Sequence, residues 1–152
     1  MTSIFHRSLL FAIACALLTL GTTGCQTTHT FATPDSSWKE HIGQLKHTNN
    51  KRTLVGEVVV QHRGTQEFQL DFLKGGSIPL VSIRQDGDAA RADGLLAGMG
   101  GHWQGTIASA PASLRPWLNL RSKFATAQAG HASPPSLTFE DGGQRFEFIF
   151  NR

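Results

Sequence analysis

The chain has 152 residues, with 14 Lys and Arg against 11 Asp and Glu and a formal charge of +3. So small a balance, with the basic residues scattered and none in a run longer than Lys51-Arg52, excludes the electrostatic footprint of a nucleic-acid binder. Cys15 and Cys25 are the only cysteines, which excludes a multi-disulfide scaffold and a metal centre built on several thiolates.

The chain starts with a short basic stretch, His6-Arg7, an apolar run over residues 8–20 and the small-residue segment Gly21-Thr22-Thr23-Gly24-Cys25. This is the tripartite layout of an export signal. The apolar run is about 13 residues long, whereas a helix needs roughly 20 to cross the hydrocarbon core, so it reads as a leader and not as a permanent span. Small residues leading directly into a cysteine resemble the lipobox of bacterial lipoproteins, with Thr22 where that motif prefers Leu. The resemblance implies a leader over residues 1–24, cleavage between Gly24 and Cys25, a diacylglycerol on the Cys25 thiol and an acyl chain on its amine. Two or more such chains anchor stably, where one holds only marginally. Cys15 would leave with the leader, so the mature chain could form no internal disulfide. Gln26 follows the cysteine where Asp would resemble an inner-membrane address, so the expected location is the periplasmic face of the outer membrane.

Removing residues 1–24 leaves 128 residues and a charge of +2, enough for one domain with one core. Residues 25–36 form a polar, Thr-rich tether with the composition of a disordered segment, and residues 37–152 form the domain. Ser37 and Glu40 make a capping-box pattern before Trp38, Ile42 and Leu45, which predicts a helix over residues 38–47 ending at Asn49-Asn50. Period-two alternation then predicts strands over residues 54–60, 66–72 and 78–83, with Phe68, Leu70 and Phe72 on one side and glycine-containing hairpin turns between. Further strands are expected over 89–95, after the turn Asp86-Gly87-Asp88, and over 102–108. Leu114, Trp117, Leu118, Leu120 and Phe124 have helical spacing, which places a second helix over 113–127 with Pro116 tolerated in its first turn. After a loop over 128–135, strands over 136–140 and 144–151 flank Asp141-Gly142-Gly143, with Phe146, Phe148 and Phe150 on one face. The expected fold is mainly β (α+β): an antiparallel sheet of about seven strands with two helices on one face.

No chemistry-bearing constellation emerges. His29, His41, His47, His62, His102 and His131 offer no pair on one helical face beside a Glu, as a helical zinc site requires. Asp86, Asp88 and Asp93 lack calcium-loop spacing and its distal Glu. Gly98-Met99-Gly100-Gly101 is followed by no Lys-Ser/Thr and opens no helix, so it reads as a mobile connection and not a phosphate cradle. No serine sits in a nucleophile elbow. The expectation is a monomer that is not an enzyme, with no catalytic residue, no metal and no cofactor beyond the covalent lipid.

The remaining signal is the inward-facing inventory Phe68, Leu70, Phe72, Trp103, Leu114, Trp117, Leu118, Phe146, Phe148 and Phe150. These residues either fill a core or line a groove for acyl chains under a curled, incompletely filled sheet; the same alternation serves both. Three stretches are similar to the LolB-type outer-membrane lipoprotein receptors, in the same order along the chain. They are Ser37-Trp38-Lys39-Glu40-His41 through Leu45 with the strand Leu54-Val55-Gly56-Glu57-Val58; Ser113-Leu114-Arg115-Pro116-Trp117-Leu118; and Phe139-Glu140-Asp141-Gly142-Gly143-Gln144-Arg145 with its following strand. The resemblance implies a curled sheet or incomplete β-barrel over helices, with an apolar cavity that receives lipoprotein acyl chains from a periplasmic carrier. The domain is shorter than that family's, and Lys74-Gly75-Gly76-Ser77-Ile78 is a positional candidate for its exposed membrane-inserting loop.

Overall fold

The computed structural model describes residues 29–97, 101–129 and 135–151, and its compact unit runs Phe31–Arg152. Eight strands make one antiparallel sheet: β1 (Lys39–Thr48), β2 (Thr53–Arg63), β3 (Glu67–Lys74), β4 (Ile78–Asp86), β5 (Ala89–Asp93), β6 (His102–Thr106), β7 (Ser136–Asp141) and β8 (Gln144–Phe150). The spatial order is β6-β5-β4-β3-β2-β1-β8-β7. The first six strands form a meander, and the last hairpin adds to the free side of β1. A 3-10 turn, Ile107–Ser109, leads to α1 (Arg115–Leu118) and α2 (Leu120–Gln128). Asn119 between them is itself right-handed helical, at φ −69° and ψ −15°, so the two form one 14-residue helix.

Three expectations are corrected. The sheet has eight strands, not seven; among the described residues one helix covers it, not two; and it is open, with β6 and β7 as unpaired edges, not curled into a partial barrel. The first two have a single cause: residues 38–47, expected as a helix, are strand β1. Its Ile42 to Leu45 spacing suited a helix, but His41, Gly43, Leu45 and His47 alternate with exposed residues, and Gly43 would cost about 1 kcal/mol inside a helix. Pairing decides the matter, since β1 runs in register with β2 from Lys39↔His62 to Thr48↔Thr53 and with β8 from Gly43↔Phe150 to Thr48↔Arg145. The capping-box residues are used otherwise. The Ser37 N–H donates to Asp35 Oδ1 at 2.8 Å, and Glu40 accepts from Gln61 Nε2 across the strand pair at 2.7 Å. Asn49 caps the β1–β2 turn, its Oδ1 accepting from the backbone N–H groups of Lys51 and Arg52.

The core lies on one face of the sheet. Leu45, Val58, Val60, Phe68, Leu70, Phe72, Val81, Ile83, Ala90, Ala92, Phe146 and Phe148 point inward and are buried, against Leu114, Trp117, Leu118, Leu120 and Phe124 of the helical segment. Each large side chain sealed from water contributes roughly 1.5–3 kcal/mol. Gln85, also buried, donates its Nε2 to the Leu118 carbonyl at 2.8 Å, fixing the junction of α1 and α2 over β4. The opposite face is largely polar, with Lys46, Glu147 and Arg145 in a chain of ion pairs at 2.8 and 3.0 Å.

Two glycines set how closely the central strands approach. A Cβ at Gly43 would lie 2.1 Å from the Ile149 carbonyl oxygen, and one at Gly56 would lie 2.1 Å from that of Leu73. Gly43→Ala therefore forces β1 and β8 apart, with an expected cost of roughly 1–3 kcal/mol, read as a lower urea midpoint. Phe124→Ala empties the centre of the core and is expected to cost about 3–5 kcal/mol. A midpoint unchanged by both would show that the helix and sheet are not packed this way.

Candidate functional site

Nine of the ten residues expected to line a cavity are buried together between helix and sheet, and Trp103 on β6 packs partly buried at the margin. They meet ring to ring. Phe124, absent from that set, is the hub: its ring centroid lies 5.0 Å from Phe148, 5.4 Å from Phe139, 5.8 Å from Phe68 and 6.0 Å from Phe150. Trp117 sits 4.9 Å from Phe146, edge to face, and 5.9 Å from Phe72, geometries that favour aromatic pairs beyond their area burial. The two recesses that touch Phe68 hold no more than about 10 Å³, too little for a water molecule. The Leu-Arg-Pro-Trp-Leu segment and the last strand are thus brought together as a filled seam.

An open cavity lies elsewhere. In this antiparallel meander the β1–β2, β3–β4 and β7–β8 turns and the β5–β6 connection share one end of the sheet. The β2–β3 and β4–β5 turns share the other, with the entering segment 31–38. At the first end is a cavity of ≈ 660 Å³. Lys51 and Arg52 of the β1–β2 turn, Leu95 and Leu96, and His47 and Trp117 are among the residues that line it. Sequence reasoning missed His47, since the alternation of β1 was masked by the helical spacing of its apolar residues. The His47 ring is only 2% exposed, 4.7 Å from Trp117 and 5.0 Å from Phe146. Its Nε2 meets Gln144 Oε1 at 2.8 Å, and its Nδ1 is buried with no hydrogen-bond partner. Burial holds its pKa below the usual histidine range, with the Arg52 charge acting the same way against the bond to Gln144.

A pair of histidines occupies the other end. His41 and His62 stack across β1 and β2 at 5.6 Å and 7°, with Gln128 Nε2 at 3.1 Å from His41 Nε2. Burial again lowers both pKa values; Lys39 adds to the effect at both, and His41 adds to it at His62. His102 is different, an exposed ring whose Nδ1 bonds Asp93 Oδ1 at 2.6 Å, beside the Arg91–Asp93 pair. The Asp86-Gly87-Asp88 segment forms the β4–β5 turn, where Arg121 donates to the carbonyls of Gln66 and Gly87. The candidate loop Lys74–Ile78 is the β3–β4 turn, with Ile78 exposed.

Gly24, Cys25, residues 98–100 and His131 lie outside the described residues. Among the described residues no group of three His, Cys, Asp or Glu is placed to hold a metal ion, and no helix is long and apolar enough to cross a membrane. No protein-family model matches the chain, and no curated protein matches it.

The buried His47 and the half-buried His41 and His62 make stability depend on pH with a definite sign. Each has a folded pKa below its ordinary value of 6.5, so the unfolded chain binds more protons as pH falls through that value. Stability is expected to be full well above it, to fall as the pH drops through it, and to level off once the folded forms also protonate. Urea midpoints across that fall check this, and His47→Gln should flatten part of the slope. A midpoint that rose on acidification would contradict the burial of these rings.

Proposed function

We propose that this protein is a lipid-anchored, non-catalytic lipoprotein of the bacterial cell envelope, whose domain acts by binding at its surface and not by enclosing acyl chains in its interior. The observation that carries the second half is the filled seam between helix and sheet, in which Phe124 and Trp117 each touch several rings. Acyl chains entering there would have to lift the helix and expose several large side chains, each worth roughly 1.5–3 kcal/mol. The anchor rests on the leader and the Gly24-Cys25 junction. With Gln26 after the cysteine, the outer membrane is the proposed residence, and the membrane itself the first partner.

A second reading is a LolB-like receptor that takes acyl chains or whole lipoproteins from a periplasmic carrier. The contact of Trp117 with the ≈ 660 Å³ cavity favours it, because that ring belongs to both the seam and the opening. In this reading the helix pivots away from β8 when cargo arrives.

Mass spectrometry of the mature N-terminus tests the anchor. The expected species begins at Cys25 with a diacylglycerol thioether and an N-acyl chain, and Cys25→Ser abolishes both and releases the chain from the membrane fraction. A mature protein with a free thiol in the soluble fraction would end the proposal. Native mass spectrometry separates the two readings: co-purifying acyl cargo between helix and sheet supports the receptor, and its absence supports the surface-binding module.

A further inference from the structure

The cavity at the turn end has a lining that neither the anchor nor the aromatic seam explains. Its volume, ≈ 660 Å³, is in the range of small-molecule sites. Its charged wall is the β1–β2 turn, where Lys51 and Arg52 are both exposed and, among the described residues, form no ion pair. That turn is held in place by Asn49, whose side-chain oxygen bonds the N–H groups of both cationic residues. Among the described residues no carboxylate lines the cavity. Those of the neighbouring β7–β8 turn already have partners: Asp141 accepts from Asn119 Nδ2 at 2.9 Å and faces Lys123 at 3.9 Å, and Glu140 pairs with Arg145.

Another part of the lining is apolar. Leu95 is 71% exposed, the most exposed large hydrophobic side chain among the described residues, and Leu96 beside it rests on the core. The wall is anchored, since the Leu96 N–H donates to the Leu80 carbonyl at 2.8 Å and that of Ala97 to the Gly94 carbonyl at 3.0 Å. His47 lines it as well, its Nε2–H donating to Gln144 Oε1. Two cations without an ion pair among the described residues and two leucines lining one recess complement a ligand with an anionic head and an apolar body. We propose that this cavity is a binding site for a single-chain anionic amphiphile, with Lys51 and Arg52 holding the head group and Leu95 and Leu96 the chain. Such a head group occurs on a free fatty acid and on an acidic lipid at a bilayer surface.

The site does not involve Cys25 and shares only its Trp117 edge with the seam, so the full chain in phosphatidylcholine nanodiscs is the material to test. The probe is dodecanoate carrying a diazirine, with the diazirine-bearing dodecylamine as the charge control, followed by peptide mapping. Light-dependent label from the acid is expected in the peptides carrying Leu95-Leu96 and Ser113-Trp117, displaced by dodecanoate but not by dodecyltrimethylammonium. Lys51→Glu with Arg52→Glu, both on an exposed turn, should lower that label on the order of tenfold, as expected when two exposed charge contacts are lost. Leu95→Asp provides a second variant that leaves the turn intact and should also lower it. Nanodiscs of phosphatidylglycerol identify the source: label lost there means that bilayer lipid competes for the site, and label retained means that free amphiphile occupies it. Equal labelling by the acid and the amine, label confined to Phe72, Leu118 and Phe146 in the seam, or label unchanged in the double charge variant would overturn the proposal.

Discussion

The structure depends on one helix lying across one face of a single-layer sheet. A sheet of eight strands presents two faces to water, and the only other described layer is the 14-residue helix of α1 and α2. Everything apolar on the inner face must find its partner there or at the sheet margins. The helix meets this demand with few residues because they are large: Trp117 and Phe124 reach strands β1, β3, β7 and β8 between them. The small residues elsewhere follow from the same demand. Ala90 and Ala92 stand on β5, toward the edge of the sheet, and glycines at 43 and 56 let β1 approach β8 and β2 approach β3 at the centre.

Most of the fold is legible in the sequence because the strand signals are local. The alternation of Phe68, Leu70 and Phe72, or of Phe146, Phe148 and Phe150, needs no knowledge of the partner strand, and each glycine turn marks where the chain reverses. Residues 38–47 defeat this kind of reading. Their inward set includes two histidines and a glycine, so the period-two pattern carries little apolar signal, while Ile42 and Leu45 offer a helical spacing. What makes them a strand is non-local: two neighbours, one adjacent in sequence and one a hundred residues away, with hydrogen bonds to offer on both sides. Reading a helix there removes a strand and adds a helix, whereas the curl of the expected sheet came from the family resemblance and not from these residues.

The functional surface was less legible for a related reason. The ten inward apolar residues were identifiable, but whether a set of inward residues encloses space or fills it depends on what lies opposite, and Phe124 decided that by packing against four other rings. The cavity that is open comes from turns: residues 49–52, 94–96 and 142–143 are distant in sequence and are gathered only because alternate turns of a meander fall at one end. No periodicity encodes that gathering. His47 shows the same effect, since its burial arises from Trp117 and Phe146, each supplied by a different segment.

The two ends of the sheet therefore differ in chemistry as well as in position. At one, segment 31–38 joins the domain, Asp35 and Glu67 hold Arg63, and Trp38 lies under the same guanidinium, so charges of both signs are matched. At the other, Lys51 and Arg52 form no ion pair among the described residues and lie on the same cavity as the exposed Leu95. Strands of about ten residues hold the two ends roughly 30 Å apart. Segment 31–38 enters at the matched end, so the cationic, partly apolar end lies at the far end of the strands. The long reach of β1 and β2, fixed by ten register pairs and the glycine at 43, is what keeps those two environments apart.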